Sequence, residues 1–157
     1  MGADYLADYK NYLTSEKHSS PNTVSSYLRD ISQFDEYLRK NQNCDLQSAK
    51  SEMVQSYIDW ITERGKSASS ATRFLASIKS FYNYMLFMEA VQVNPAKGVS
   101  TAKVERKYPE VLTNKEVELF LEQPQCVDAK GFRDHAMLEL LYATGIRVSE
   151  LISLNLD

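Results

Sequence analysis

Two charged residues three apart, Arg147 and Glu150, stand in the run Ala143-Thr144-Gly145-Ile146-Arg147-Val148-Ser149-Glu150-Leu151. Glycine terminates helices well, so Gly145 closes one helix, and Arg147 falls in the first turn of another with Glu150 near enough to pair. A cation at a helix N-terminus opposes the dipole, which is unfavourable unless something anionic is to be bound there. The spacing admits two readings, an arginine that grips an anion and a structural Arg-Glu pair.

A second chemistry is carried by the distribution of charge. The net charge is −3, yet residues 1–63 hold six basic and ten acidic side chains, residues 64–107 eight and two, and residues 108–157 four and nine. The central stretch therefore carries +6, from Arg64, Lys66, Arg73, Lys79, Lys97, Lys103, Arg106 and Lys107. Such a density suits a polyanion contacted locally, with the acidic ends facing elsewhere. A solvated face with uneven charge gives the same count.

The helix that must position part of this charge is predicted from about Ser69 to Met88. At 100° per residue, Ala71, Phe74, Leu75, Ile78, Phe81, Tyr82, Met85 and Leu86 fall within an arc of about 140°, a face made for packing. The opposite face carries Ser69, Thr72, Arg73, Ala76, Lys79, Ser80 and Asn83. These are small or hydrogen-bonding side chains with two cations and no carboxylate, as close approach to a phosphate backbone or to base edges requires; solvent is the plainer occupant.

Three further helices precede it. The first runs from about Asp4 to Glu16 with Tyr5, Leu6, Tyr9 and Leu13 at helical spacing. Ser20-Pro21 supplies the cap and first-turn proline of a second, striped by Val24, Tyr27, Leu28, Ile31, Phe34 and Leu38. A polar connection from Asn41 to Ala49 leads to a third, carrying Met53, Val54, Tyr57, Ile58 and Ile61 and closed by Gly65. No run alternates in the manner of a strand. After the fourth helix, Asn94-Pro95-Ala96-Lys97-Gly98 breaks the pattern. The domain boundary is expected there, with residues 1–98 as one domain, 99–110 as an exposed linker and 111–157 as a second. Thr113-Asn114-Lys115-Glu116 has capping-box spacing, worth about 1 kcal/mol. From Ala136 to Ala143 the chain is apolar nearly all round a helix, which calls for more surrounding protein than 47 residues hold; the opening of a larger domain, or packing on the first domain or on another copy of the chain, answers this.

Of 157 residues, 43% are hydrophobic and 25% charged, which excludes disorder and low complexity. No apolar run approaches the roughly 20 residues of a membrane span, and no signal peptide is evident, so a soluble, cytoplasmic protein with no membrane partner is expected. Cys44 and Cys126 lack metal-ligand spacing, and with two histidines in the chain neither a metal site nor a disulfide framework is expected.

The nonapeptide around Arg147 resembles the first active-site box of the tyrosine recombinase (phage integrase) family, and its Xer-type members in particular. The likeness extends along the chain. Ser20-Pro21-Asn22-Thr23 with Tyr27, Asp30 and Phe34 resembles the second core-binding helix, Thr72-Arg73 through Phe81-Tyr82 the fourth, Asn94-Pro95 the end of that domain, and Leu112-Thr113 with Glu116-Val117 the entry to the catalytic domain. The resemblance implies an all-α chain, a four-helix SAM-like core-binding bundle followed by the first helices of a truncated catalytic domain.

It further implies a protein that clamps double-stranded DNA and cuts and rejoins strands through a 3′-phosphotyrosyl link, with no metal or nucleotide cofactor, alongside other recombinase subunits. Arg147 would hold the non-bridging oxygens of the scissile phosphate, a task for a planar, permanently charged fork, and Glu150 would orient it. The lysine hairpin, the His-x-x-Arg box and the nucleophilic tyrosine lie downstream in relatives, so a chain ending at Asp157 is expected to bind DNA without cleaving it. The DNA contacts expected are Thr23, Ser26, Ser69, Thr72, Arg73, Lys79, Asn83, Lys103, Arg106 and Lys107, with Arg73 and Lys79 foremost. A non-catalytic regulatory or protein-interaction module built on the same fold is the alternative. Chromosome-dimer resolution, phage integration and transposon mobility share the architecture.

Overall fold

A computed structural model describes residues 5–102 and 110–155, and among them the regular elements are all helical. The chain divides into two compact units, Met1–Glu105 and Arg106–Asp157.

In the first unit, α1 (Tyr5–Asn11) runs on through a π-helical turn, Tyr12–Glu16; Asp4, the expected start, lies outside the described residues. α2 (Pro21–Tyr37) begins as its sequence dictates. Ser20 is extended and its hydroxyl accepts the Thr23 N–H at 3.3 Å, while Pro21 fills a first-turn position where no N–H is needed. It continues into a second π-helical turn, Leu38–Gln42, closed by Asn43 at φ +47°. α3 (Ser51–Glu63) ends at Gly65, whose φ of +84° a side chain would strain. α4 (Ala68–Phe87) is capped by Ser67, which accepts the Ser70 N–H at 3.2 Å.

α4 packs against α1, α2 and α3. It buries Ala71, Phe74, Leu75, Ile78, Phe81, Tyr82 and Met85 of the predicted stripe, leaves Leu86 half-exposed, and adds Ser77 and Tyr84. Two aromatic groups flank it. Tyr9 meets Phe81 edge-on at 5.2 Å and Tyr84 at 5.3 Å, while Tyr57 lies 5.1 Å from Phe34, 5.2 Å from Tyr37 and edge-on to Phe74 at 6.2 Å. Each fully buried ring contributes about 1.5–3 kcal/mol through area removed from water alone. The connection between α2 and α3 is anchored too, since Leu46 is buried and its carbonyl accepts the Tyr82 hydroxyl at 2.8 Å.

Pro95 and Ala96, at the end of the expected first domain, are buried against the bundle, and so is Val99, while Ser100 and Ala102 beyond it are exposed. Ser51 on α3 donates its hydroxyl to the Pro95 carbonyl at 2.7 Å. Val99 is an apolar side chain in a polar stretch, and its burial draws the neighbouring backbone onto α4.

In the second unit, α5 (Asn114–Leu121) carries the expected capping box: Thr113 Oγ1 accepts the Glu116 N–H at 3.4 Å, and Glu116 Oε2 accepts the Thr113 N–H at 2.7 Å. Those backbone and hydroxyl hydrogen bonds from Thr113 hold the Glu116 carboxyl below its usual range. α6 (Ala129–Thr144) starts at Asp128, which accepts the Gly131 N–H at 2.7 Å. A Cβ at Gly131 would stand 1.7 Å from the Gln125 carbonyl oxygen, so no other residue fits without moving the backbone. α6 ends at Gly145, φ +66°, and α7 (Val148–Leu151) follows. The helix expected to be surrounded by protein is covered here on one side only: Leu138 and Leu141 are half-buried in an apolar cleft with Leu112, Val117, Phe120 and Leu121, while Tyr142 is 62% exposed. Gly131 is the one buried residue among those described in this unit.

Candidate functional site

The polar face of α4 is built by the same turn geometry that buries its apolar stripe, and it is less open than its composition suggests. Ser69, Thr72, Arg73, Ala76 and Asn83 are exposed, whereas Lys79 and Ser80 are half-buried. Ser80 Oγ accepts the Tyr9 hydroxyl at 2.8 Å, so it serves the core. The segment following α4 is laced to the others. Asn94 Nδ2 donates to the Lys79 carbonyl at 3.1 Å and to Asn83 Oδ1 at 2.8 Å, Lys79 Nζ donates to the Val99 carbonyl at 3.2 Å, and the Thr72 and Thr101 hydroxyls lie 2.8 Å apart. Lys97 stands exposed in a shallow cleft that it lines with Lys79, Asn83 and Asn94 and with the apolar Leu86 and Val93.

At the start of α2, Thr23 is half-buried with its hydroxyl 2.9 Å from that of Ser20, and Ser26 donates to the Asn22 carbonyl at 2.8 Å. Both hydroxyls have local partners, as short polar side chains near a helix start commonly do. Lys103, Arg106 and Lys107 lie outside the described residues.

Arg73 is the residue whose surroundings the sequence did not disclose. Its Nη1 donates to Asp30 Oδ2 at 2.5 Å across the α2–α4 contact, and Ser77 Oγ donates to the same oxygen at 2.7 Å. Asp30 is 1% exposed and Ser77 is fully buried, while half of the Arg73 side chain remains open to solvent, its guanidinium lying 4.7 Å from the Phe74 ring centre. A carboxylate beside the apolar stripe of α2 and a serine within that of α4 were the available signals. Each is unremarkable alone, and only the packing of the two helices joins them.

In the second unit Arg147 is the N-cap residue of α7, extended at φ −73° and ψ 150°, one position earlier than expected. Glu150 Oε2 accepts the Arg147 backbone N–H at 2.8 Å and Glu150 Oε1 accepts from the guanidinium at 3.0 Å. The carboxylate thus answers both the free backbone donor of the turn and the side-chain charge. The Arg147 side chain is 81% exposed, which leaves most of its five donors unspent. Among the described residues no helix is long and apolar enough to cross a membrane, and Cys44 and Cys126 are free thiols.

Comparison with known proteins agrees with this organisation. Residues 6–87 match the family described as phage integrase, N-terminal SAM-like domain, and residues 110–157 match the phage integrase family. A protein of Caldanaerobacter subterraneus subsp. tengcongensis that bears a tyrosine recombinase name is 36% identical over 157 residues, covering all of this chain and 54% of its own. Tyrosine recombinase XerD of Staphylococcus epidermidis is 35% identical over 152 residues, 97% of this chain and 52% of the relative. The chain spans about half the length of these curated relatives. Among solved structures, the Tn1549 transposon integrase in complex with a circular intermediate DNA superposes with a TM-score of 0.65 at 20% identity, over 98% of this chain and 49% of that one. At that identity the likeness is one of fold.

Proposed function

Since the chain belongs to the phage integrase, or tyrosine recombinase, family, we propose that it is the DNA-facing part of a site-specific recombinase. In this reading the first unit seats on duplex DNA through α4 and the start of α2, and the second unit supplies the first catalytic arginine. The observation that carries it is the second family match, which takes in an exposed Arg147 braced by Glu150 at the mouth of α7. A guanidinium so held offers a planar fork to the non-bridging oxygens of a scissile phosphodiester, where charge builds as the phosphorus is attacked. In the family the nucleophilic tyrosine, which displaces a 5′-hydroxyl and leaves a 3′-phosphotyrosyl link, lies downstream of the box that Arg147 resembles. Of the tyrosines here, Tyr9, Tyr57 and Tyr82 are locked in the core. The recombination served is of the Xer kind, with chromosome-dimer resolution as its setting and further recombinase subunits as partners.

Gel-shift selection from a random duplex pool tests the binding and reports the preferred half-site at once. Enrichment of one sequence is the expected result, and equal retardation of all duplexes, or of none, overturns it. A suicide substrate that traps covalent protein-DNA adducts is expected to yield none with this chain.

A further inference from the structure

The buried carboxylate of Asp30 has no part in the reading above, and among the described residues its cationic hydrogen-bond partner is Arg73, on the proposed DNA face. Asp30 Oδ2 takes hydrogen bonds from Arg73 Nη1 and Ser77 Oγ at 2.5 and 2.7 Å, while the flat of the same guanidinium lies against the Phe74 ring. The guanidinium is therefore tied to the protein through Nη1, while about half of the Arg73 side chain, 51%, stays exposed. Exposed neighbours on that face of α4 are Ser69, Thr72 and Ala76, all small, with the Thr72 hydroxyl 2.8 Å from that of Thr101.

Two physical consequences follow. A carboxylate in direct contact cancels most of the net charge that a distant phosphate would feel, so Arg73 is a weak electrostatic anchor. An arginine already held by a hydrogen bond and a ring loses little freedom on binding, so it is a good directional donor. Phosphate attraction rewards net charge; base reading in the major groove rewards a fixed pair of donors, and the guanine O6/N7 edge is the acceptor pair that a guanidinium fork matches.

We propose that Arg73 reads a guanine in the major groove, and that Asp30 and Ser77 are positioning residues that aim it. This rests on the DNA-binding reading. The test uses the 157-residue chain, the duplex selected from a random pool, variants of that duplex with each G·C pair changed singly to A·T, and an unselected random duplex. The wild-type chain is expected to lose about tenfold in affinity at one G·C pair. Arg73→Ala loses that preference, with the dependence of log K on log salt unchanged. Asp30→Asn, nearly isosteric, loses the preference at the same pair while binding the random duplex as well as, or better than, the wild type, because a negative charge has gone. A merely structural role would lower binding to both duplexes together. Ser77→Ala shifts the preference in the same direction to a smaller extent, and decides the matter if Asp30→Asn does not fold by circular dichroism. Full discrimination retained in the folded variant, or an Arg73→Ala slope flattened with base preference intact, overturns the proposal and makes Arg73 a phosphate contact. A wild-type chain that retards no duplex overturns the DNA-binding reading, and this inference with it.

Discussion

The ammonium group of Lys79 donates to the carbonyl oxygen of Val99, 3.2 Å away and twenty residues later in the chain. With the Thr72–Thr101 and Asn83–Asn94 hydrogen bonds, this contact fastens the segment after α4 along the polar face of that helix. Lys79 keeps two further N–H donors, and no carboxylate pairs with it among the ion pairs described. Unlike Arg73, it holds its full charge for an outside partner.

Removing that charge gives the first prediction. If Lys79 neutralises one DNA phosphate, Lys79→Ala should flatten the slope of log K against log salt by about 0.9 and leave the preferred sequence unchanged. Titrations at four or five salt concentrations measure it. An unchanged slope would mean that the ammonium is spent on the Val99 carbonyl and not on DNA.

The Asp30–Arg73 pair makes an asymmetric stability prediction. Arg73→Ala leaves a desolvated carboxylate with Ser77 as its remaining donor, and about 1–3 kcal/mol of stability should be lost. Half of the arginine is in solvent, which keeps the figure well below that of a fully buried pair broken on one side. Adding Asp30→Asn should restore part of the loss, because an amide needs no counter-charge. Urea unfolding of both single variants and the double variant, at constant m, measures the coupling. Strict additivity would show that the two side chains do not interact.

How far the fold was legible follows from the same residues. The four stripes of the first unit, the Ser20-Pro21 and Thr113 caps and the Gly65 and Gly145 terminations depend on residues within one or two turns of each other, so spacing alone reveals them. Partners on different helices are not local. Asp30 and Arg73 are 43 positions apart, and Lys79 and Val99 twenty, so the sequence shows a face rich in donors without showing that several are already engaged. Within the polar stretch 99–102, the burial of Val99 depends on helices far back in the chain and leaves no mark in the local pattern. The π-helical turns at Tyr12–Glu16 and Leu38–Gln42 continue the preceding stripes and leave no separate mark in the pattern.

Alkaline titration supplies the last prediction, and its sign comes from burial. Removal from water pushes the Tyr9 phenol up to about 12, partly offset by its hydrogen bond to Ser80. Burial also raises Tyr57 and Tyr82 well above the ordinary range; the Asp30 charge adds to the effect at Tyr57, and Cys44 and Asp35 to that at Tyr82. In the unfolded chain all three should ionise near about 10. A folded value above the unfolded one means that these phenols favour the native state fully below pH 10, and that this contribution is lost as the pH climbs through about 12. Tyr9, Tyr57 and Tyr82 should therefore ionise only as helical circular dichroism collapses. Near-ultraviolet tyrosinate absorbance followed beside far-ultraviolet dichroism separates the steps. A single ionisation step near pH 10 with full helicity would contradict the packing of Tyr9, Tyr57 and Tyr82 around α4, on which the orientation of its polar face depends.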